Sequence, residues 1–442
     1  MSVNTLVTGF SALSREEKIR HAAAMTNDPE NFTNELMEHL HPDPVRQQQY
    51  EDISENALSN FYLPFSVVPN FKINGVNYMV PMVSDESSVV AAVAAAVKFW
   101  WPLGGFSATV KDMDKPGHIH FIWKGEYKAL TGFITEITPG LKESVQQVTR
   151  NMAMRGGGIR SVRLLDRRIV MEGYYQIEVI FRTADAMGAN FINTCLEIMA
   201  AHLQQQANIR GISNRLEIIM SILTNYTPAC RVECSVSCQV QDFTAISGGR
   251  TSADFVRKFE TAVKMARVDM YRAVTHNKGI YNGIDAVLIA TGNDFRAAEA
   301  AGHAWASREG TYRGLTHAET EGDTFTFGMQ IPLSVGVTGG LTKLHPLARA
   351  SMMLLGNPDA PALMTVAAAA GLASNFSAIR ALITGGIQKG HMKLHLANIL
   401  NQIGANPEEK KKALQHFAHK TVSYAMAEEF IQNLRKDIRA GQ

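Results

Sequence analysis

The sequence predicts an α+β fold: a large mixed helix-and-sheet unit, interrupted by an inserted β-α-β-β-α-β unit and followed by a C-terminal helical lobe. Three observations carry that expectation. The chain has 442 residues, and single cores stop growing near ~250–300 residues, so two or three compact units are expected. From about residue 112 to 230 the apolar pattern changes to short alternating runs separated by helical periods. Beyond that the spacing is mostly helical, broken at GGIQKG (385–390), whose glycines read as a hinge.

The elements follow in order. After N-terminal helical segments, FSVVPNFKINGVNYMVPM (65–82) is a strand pair with an Asn-Gly turn. DESSVVAAVAAAVKFWW (85–101) is a helix whose small residues allow close packing. HIHFIWKG (118–125) alternates as a strand and TPGLKESVQQVTRNM (138–152) is helical. IRSVRLL (159–165) and GYYQIEVIFR (173–182) are strands about a polar turn. FINTCLEIMAAHLQQQ (191–206) puts Phe191, Ile192, Cys195, Leu196 and Met199 on one helical face, and LEIIMSIL (216–223) closes a ferredoxin-like split unit. The expected division is 1–111 and 230–385 for the two parts of the large unit, 112–229 for the insert and 386–442 for the lobe.

In the second part, a long helix is expected from about Ser252 through Val274, then an apolar strand-like run in HNKGIYNGIDAVLIATGND (276–294), then the helix NDFRAAEAAGHAWAS. NPEE (406–409) starts a late helix by its Asn-Pro cap. Cys230, Cys234 and Cys238 share one face of a half-buried strand. Same-face residues four apart lie roughly 13 Å apart, too far to ligate one zinc ion, so buried reduced thiols are expected.

Lys and Arg number 43 against 41 Asp and Glu, a net charge of +2 that supplies no general field for nucleic acid or an anionic membrane. The apolar run Val89 to Val97, taken as the longest, stops at Lys98, short of the ~20 residues of a membrane span. The N-terminus lacks the pattern of a secretory signal, so a soluble cytoplasmic protein is expected. An RNA-binding alternative rests on Tyr174 and Tyr175 in a ferredoxin-like strand. Adjacent strand residues face opposite sides, which leaves one of them to stack on a base.

Taken singly, the chemical motifs are weak. RGGGIRS (155–161) and ISGGRTS (246–252) lack the spacing of phosphate-cradling loops and read as turns. In DAMGAN (185–190), Asp185 precedes an apolar helix whose first amides could dock a pyrophosphate, with a capping aspartate and a packing glycine as the plainer reading. His391 and His395 in HMKLH lack the glutamate of a zinc-binding helix, so no metal is expected. Lys278 and Asp294 both read as interior charges, which require a partner or a task.

Together, NFKINGVNYMVPM, DESSVVAA, RTADAMGANFINT, YRAVTHNKGIYNGIDAVLIATGNDFRAAEAAGHA, GGLTKLHPLA and IQKGHMKLH, in that order, closely resemble the bacterial-type (class II) 3-hydroxy-3-methylglutaryl-CoA reductases. The resemblance implies a homodimer, or a higher assembly of dimers, with active sites at the subunit interface. It also implies a large domain for the CoA thioester, a small domain for NADPH or NADH, and a C-terminal helical flap. The implied reaction reduces the thioester to mevalonate and CoA with two hydrides, through a hemithioacetal and mevaldehyde, in either a biosynthetic or a reverse, catabolic direction.

By the same resemblance Lys278 stabilises the carbonyl oxygen, Asp294 hydrogen-bonds that lysine, and Glu86 delivers a proton to mevaldehyde, which requires a raised Glu86 pKa. His391 protonates the departing thiolate, with His395 in support. Ser88, Arg272 and Asn282 hold the hydroxymethylglutaryl end. Asp185, Met187, Gly188 and Asn190 carry the cofactor. The chain departs from the family at Ser87, where a proline is common, and at Ser11, where some relatives carry arginine. It departs also at Ser161, where NADH users carry an acid. With Arg160 and Arg163 beside it, Ser161 points to NADPH.

Overall fold

The computed structural model describes residues 6–385, 396, 399–417 and 422–440. Three short N-terminal helices come first: α1 (Arg15–Ala23), α2 (Pro29–Glu38) and α3 (Pro44–Glu51), started by the capping side chains of Ser14, Asp28 and Asp43. β1 (Phe65–Ile73) and β2 (Val76–Val83) form an antiparallel hairpin. Its turn residues Asn74 and Gly75 both hold positive φ, 49° and 82°, as a type I′ turn demands. The Asn74 amide then clamps both backbone groups of Ala108.

α4 (Ser87–Trp100) leads to β3 (Ser107–Val110) and to the insert: β4 (Asp114–Trp123), α5 (Tyr127–Ser144), α6 (Gln146–Ala153), β5 (Gly158–Asp166), β6 (Tyr174–Arg182), α7 (Ala189–Ile209) and β7 (Leu216–Leu223). These strands make an antiparallel sheet in the order β5-β6-β4-β7. One face of that sheet packs its Ile, Phe and Tyr side chains on α5 and α7 in a core of its own, which includes Ile192, Cys195, Leu196 and Met199. Tyr175 belongs to that core and is 1% exposed, so Tyr174 alone remains on the outer face, bonded to His120. The His120 ring stacks on Tyr174, with centroids 6.0 Å apart, and the RNA-binding alternative gains no support from it.

The chain then returns to the large unit through β8 (Arg231–Gln239), α8 (Ser252–Val268), α9 (Met270–Ala290), α10 (Phe295–Ala306), β9 (Thr316–Glu321) and β10 (Thr324–Pro332). The second sheet runs β3-β8-β10-β9. Cys234 and Cys238 lie on the buried face of β8, and all four cysteines are free thiols whose pKa burial raises.

Two expectations are corrected here. The helix expected through Val274 ends at Val268, because Asp269 adopts an extended conformation and caps α9 through Tyr271 N–H. The strand-like run in 276–294 is the second half of that helix. An unbroken apolar stretch has no period-2 signal once the element is buried all round, and it is so here because α9 lies in the core.

Its partner is the central helix. After α11 (Gly340–Leu344) and α12 (Pro346–Leu354), α13 (Ala360–Thr384) runs through the large core with 83% of its most apolar window buried. It is also the one described helix long and apolar enough to cross a membrane, so Val89 to Val97 is not the longest apolar stretch. α9 and α13 approach so closely that a Cβ on Gly283 would lie 2.2 Å from the carbonyl oxygen of Ala370. Ser374 and Asn375 of α13 donate to the carbonyls of Gly279 and His276 on α9. α14 (Pro407–His416) starts at Asn406 by a capping box and joins α15 (Tyr424–Ala440) in a small separate apolar cluster with Leu396 and Leu400.

Candidate active site

The glycine face of α9 against α13 decides which residues the helix presents outward. Lys278 and Asn282, one turn apart, line a cleft of about 740 Å³ with Asp285, Ala286 and Ile289. The opposite wall comes from the turn before α4, with Ser84, Asp85 and Glu86, and from Phe61 and Leu63. Within the cleft the Lys278 ammonium lies 2.9 Å from Oε2 of Glu86, and the Ser88 hydroxyl donates to Oε1 of Glu86 at 2.7 Å. Glu86 is the N-cap residue of α4, and its own amide is held by the Ser84 hydroxyl.

The expected interior charges take different positions. The Lys278 side chain is 62% exposed in this chain, since the face of α9 that carries it is the one α13 does not cover. Asp294 is not the acid that holds it. The Asp294 carboxylate accepts from Ala297 N–H as the cap of α10 and pairs with Arg296 at 3.3 Å. Phe295 beside it lines the cleft, whereas Asp294 is not among the lining residues. Arg272 does not line the cleft: on an ideal helix it lies about 120° around the axis from Lys278. Its guanidinium makes no hydrogen bond or ion pair among the described residues, and burial lowers its pKa against the opposing charge of Asp269. Asn282 makes no side-chain hydrogen bond among the described residues. His391 and His395 lie outside the described residues.

The residues expected to carry a cofactor fall in two places. The loop before α7 holds Asp185, Met187 and Gly188, with Asn190 exposed in the first turn of the helix. Asp185 does not cap α7. Its carboxylate accepts from Ala360 N–H at the start of α13, and its carbonyl accepts from Val337 N–H and the Thr338 hydroxyl. Gly188, at φ 92°, is the N-cap of α7 with no side-chain cap bond, so the first amides of that helix are left open to an anion. A Cβ at Gly188 would lie 2.4 Å from the Thr183 side chain. The open amides and the missing side chain fit a pyrophosphate.

On β5 the pairing with β6 slips between Ile159 and Ser161, which makes Arg160 the extra residue of a bulge. Arg160 is exposed and has no hydrogen bond or ion pair among the described residues. Arg163 is already engaged: it sits opposite Glu178 on β6 and forms an ion pair with that nearly buried carboxylate. Ser161 shares the outer face of the sheet with Arg163.

Asp285 is a cleft residue that sequence reasoning missed, because a strand places it on no particular side of Lys278 whereas a helix aligns the two. Burial pushes its carboxyl up to about 8, and the Glu299 carboxylate beside it adds to the shift. Lys115 was missed as well. The residue is 2% exposed, and its ammonium donates to Thr183 Oγ1 at 2.6 Å and to the Ala186 carbonyl at 3.0 Å.

Comparison with known proteins bears on what this cleft does. A family model described as hydroxymethylglutaryl-coenzyme A reductase matches residues 16–396. The 3-hydroxy-3-methylglutaryl-coenzyme A reductase of Archaeoglobus fulgidus is 33% identical over 415 residues, covering 94% of this chain and 91% of that one. A probable 3-hydroxy-3-methylglutaryl-coenzyme A reductase of Borreliella burgdorferi is 32% identical over 400 residues, covering 89% and 88%. The structure of the class II 3-hydroxy-3-methylglutaryl-CoA reductase from Streptococcus pneumoniae, bound to NADPH in open conformations, superposes with a TM-score of 0.70. It is 32% identical and covers 96% of this chain and 100% of that one.

Proposed function

The chain belongs to the hydroxymethylglutaryl-coenzyme A reductase family, and from that premise we propose that it reduces the hydroxymethylglutaryl thioester to mevalonate with NADPH, in the biosynthetic direction. The observation that supports this most is the cluster of Lys278 with Glu86 and Ser88 across one cleft, where Asn282 lies one turn along α9 from Lys278 and Phe295, next to Asp294, completes the lining. A pair this exposed contributes only about 0–1 kcal/mol to stability. Its value lies in chemistry.

NADPH, when bound at the loop before α7, supplies the hydrides. Negative charge develops on the carbonyl oxygen at each reduction, and the Lys278 ammonium is the cation that faces it. Glu86, joined to Lys278 and Ser88, hands a proton to the mevaldehyde oxygen as that charge develops. Asp294, fixed at the start of α10 next to the cleft-lining Phe295, keeps the role its motif implies of supporting the lysine. His391, in the role its motif implies, protonates the CoA thiolate so that it does not add back to the aldehyde. Asn282 offers a free amide to the hydroxymethylglutaryl end, and Arg272 a guanidinium suited to a carboxylate.

Several features support the wider reading. The element order and antiparallel sheet order support reading the insert 112–229 as a ferredoxin-like cofactor domain. The large domain comprises 1–111 and 230–385, and 386–442 is the flap, in keeping with the separate apolar cluster of its described helices. The open cleft, with Phe61 91% exposed at its edge, suits an enzyme whose active site is completed by a second subunit in a cytoplasmic homodimer. Arg160, on its bulge and without a partner among the described residues, is the group this reading assigns to a 2′-phosphate.

Initial rates in both directions test the proposal. The thioester is offered with NADPH or NADH, and mevalonate plus CoA with NADP⁺ or NAD⁺. A higher kcat/KM for thioester reduction with NADPH agrees with it; a higher value with NADH, or efficient turnover only from mevalonate, contradicts it.

A further inference from the structure

The cofactor loop and the turn that carries Asp294 meet at one residue. Gly336, in the segment after β10, donates its N–H to Asn293 Oδ1 at 2.8 Å, and Asn293 immediately precedes Asp294. On its other side Gly336 faces the loop before α7, where a Cβ would lie 2.3 Å from Met187 N and 3.0 Å from the Ala186 carbonyl carbon. Gly336 does not hold a positive φ, so its backbone conformation alone does not call for glycine. The close approach does.

The loop has no freedom to back away. Lys115 grips it through Thr183 and Ala186 from the insert, and Asp185 is tied to Val337 N–H and to the first amide of α13. Displacement at Gly336 must therefore pass either to Met187 or, through Asn293, to the Asp294 turn. On the reading that this loop carries NADPH, we propose that Gly336 is a positioning residue, setting the distance between the cofactor loop and Asp294 so that hydride donor and acid–base groups share one frame.

A misplacement of about 1 Å can cost up to roughly 100-fold in rate. The test uses the full-length enzyme with Gly336→Ala, which adds the missing Cβ, and Asn293→Ala, which removes the acceptor without adding bulk. The readouts are kcat and KM for NADPH and for the thioester, the primary isotope effect with NADPH deuterated at the transferred position, and the melting temperature. Expected is a loss of roughly 10- to 100-fold in kcat/KM for NADPH with an increased isotope effect, while KM for the thioester stays near the wild-type value.

Should Gly336→Ala not fold, Asn293→Ala decides the matter by the same readouts. Unchanged isotope effects and NADPH parameters in a folded variant overturn the inference. So does an equal loss for both substrates accompanied by a lower melting temperature. If the wild type oxidises neither NADPH nor NADH with the thioester, the functional reading itself fails and takes this inference with it; an active wild type with indifferent variants removes the inference alone.

Discussion

The Lys278 ammonium of α9 lies 2.9 Å from Oε2 of Glu86 at the start of α4, and the second oxygen of that carboxyl takes the Ser88 hydroxyl. Glu86 is thus oriented by a cation and a hydroxyl together, as a residue that passes a proton to a charged oxygen should be. Glu86→Gln keeps the shape and removes the proton. It is expected to lower steady-state turnover by roughly 10²–10⁴-fold. Because the block falls on the second reduction, a thiol reagent should still detect CoA released in a single turnover while mevalonate is not formed. Equal loss of both products would place Glu86 elsewhere in the sequence of steps.

The two arginines of β5 are expected to behave differently. Arg163 is committed to Glu178, whereas Arg160 projects from the bulge without a partner among the described residues. Arg160→Glu should therefore raise KM for NADPH and shift the kcat/KM ratio toward NADH by roughly tenfold or more, about the discrimination one charged contact supplies. Arg163→Ala should change the ratio less and lower the melting temperature more. Steady-state kinetics with both cofactors checks this.

Gly283→Ala tests the packing that turns Lys278 toward the cleft. The added methyl would lie 2.2 Å from the Ala370 carbonyl oxygen, and neither helix backbone can yield without disturbing the core. A destabilisation of about 1–3 kcal/mol or more is expected, measured by denaturant unfolding, with loss of activity in proportion as α9 moves.

Stability should fall as the pH rises from about 6.5 to 8. Asp285 has its carboxyl pushed up to about 8 by burial and by Glu299, well above the value of an unfolded aspartate. The folded chain then holds a proton that the unfolded chain has released, so this contribution is fully present only at acid pH and is lost as pH rises through about 8. Asp285→Asn should flatten that part of the melting profile. His276, lowered to about 3 by burial, acts in the opposite sense: its contribution is complete above about pH 6.5 and is lost as pH falls toward 3. The window above 6.5 therefore isolates Asp285 from His276.

Much of this was legible in the sequence, for particular physical reasons. The insert's strands are covered on one face only, so their alternation stands out, and Ile192, Cys195, Leu196 and Met199 are buried as their helical spacing requires. The Asn-Gly turn and the Asn406 cap are local chemistry and could be read locally. α9 and α13 are buried on nearly every side, which erases the periodicity that separates helix from strand, and so Asp285 could not be placed beside Lys278. Long-range partners were invisible for another reason. Asp185 reads as the cap of the helix that follows it, yet its carboxylate serves Ala360, and Arg163 reads as a free cation, yet strand register sets it against Glu178.

The central claim is that the ammonium of Lys278 stabilises the developing oxyanion. Its most direct test is single-turnover oxidation of NADPH with the hydroxymethylglutaryl thioester, comparing the wild type with Lys278→Met. Because the side chain is 62% exposed, the variant should fold with a melting temperature close to that of the wild type. Its rate constant for hydride transfer should drop by at least 10²–10³-fold, the loss typical for one oxyanion-stabilising donor. A folded variant that transfers hydride at close to the wild-type rate would contradict the account.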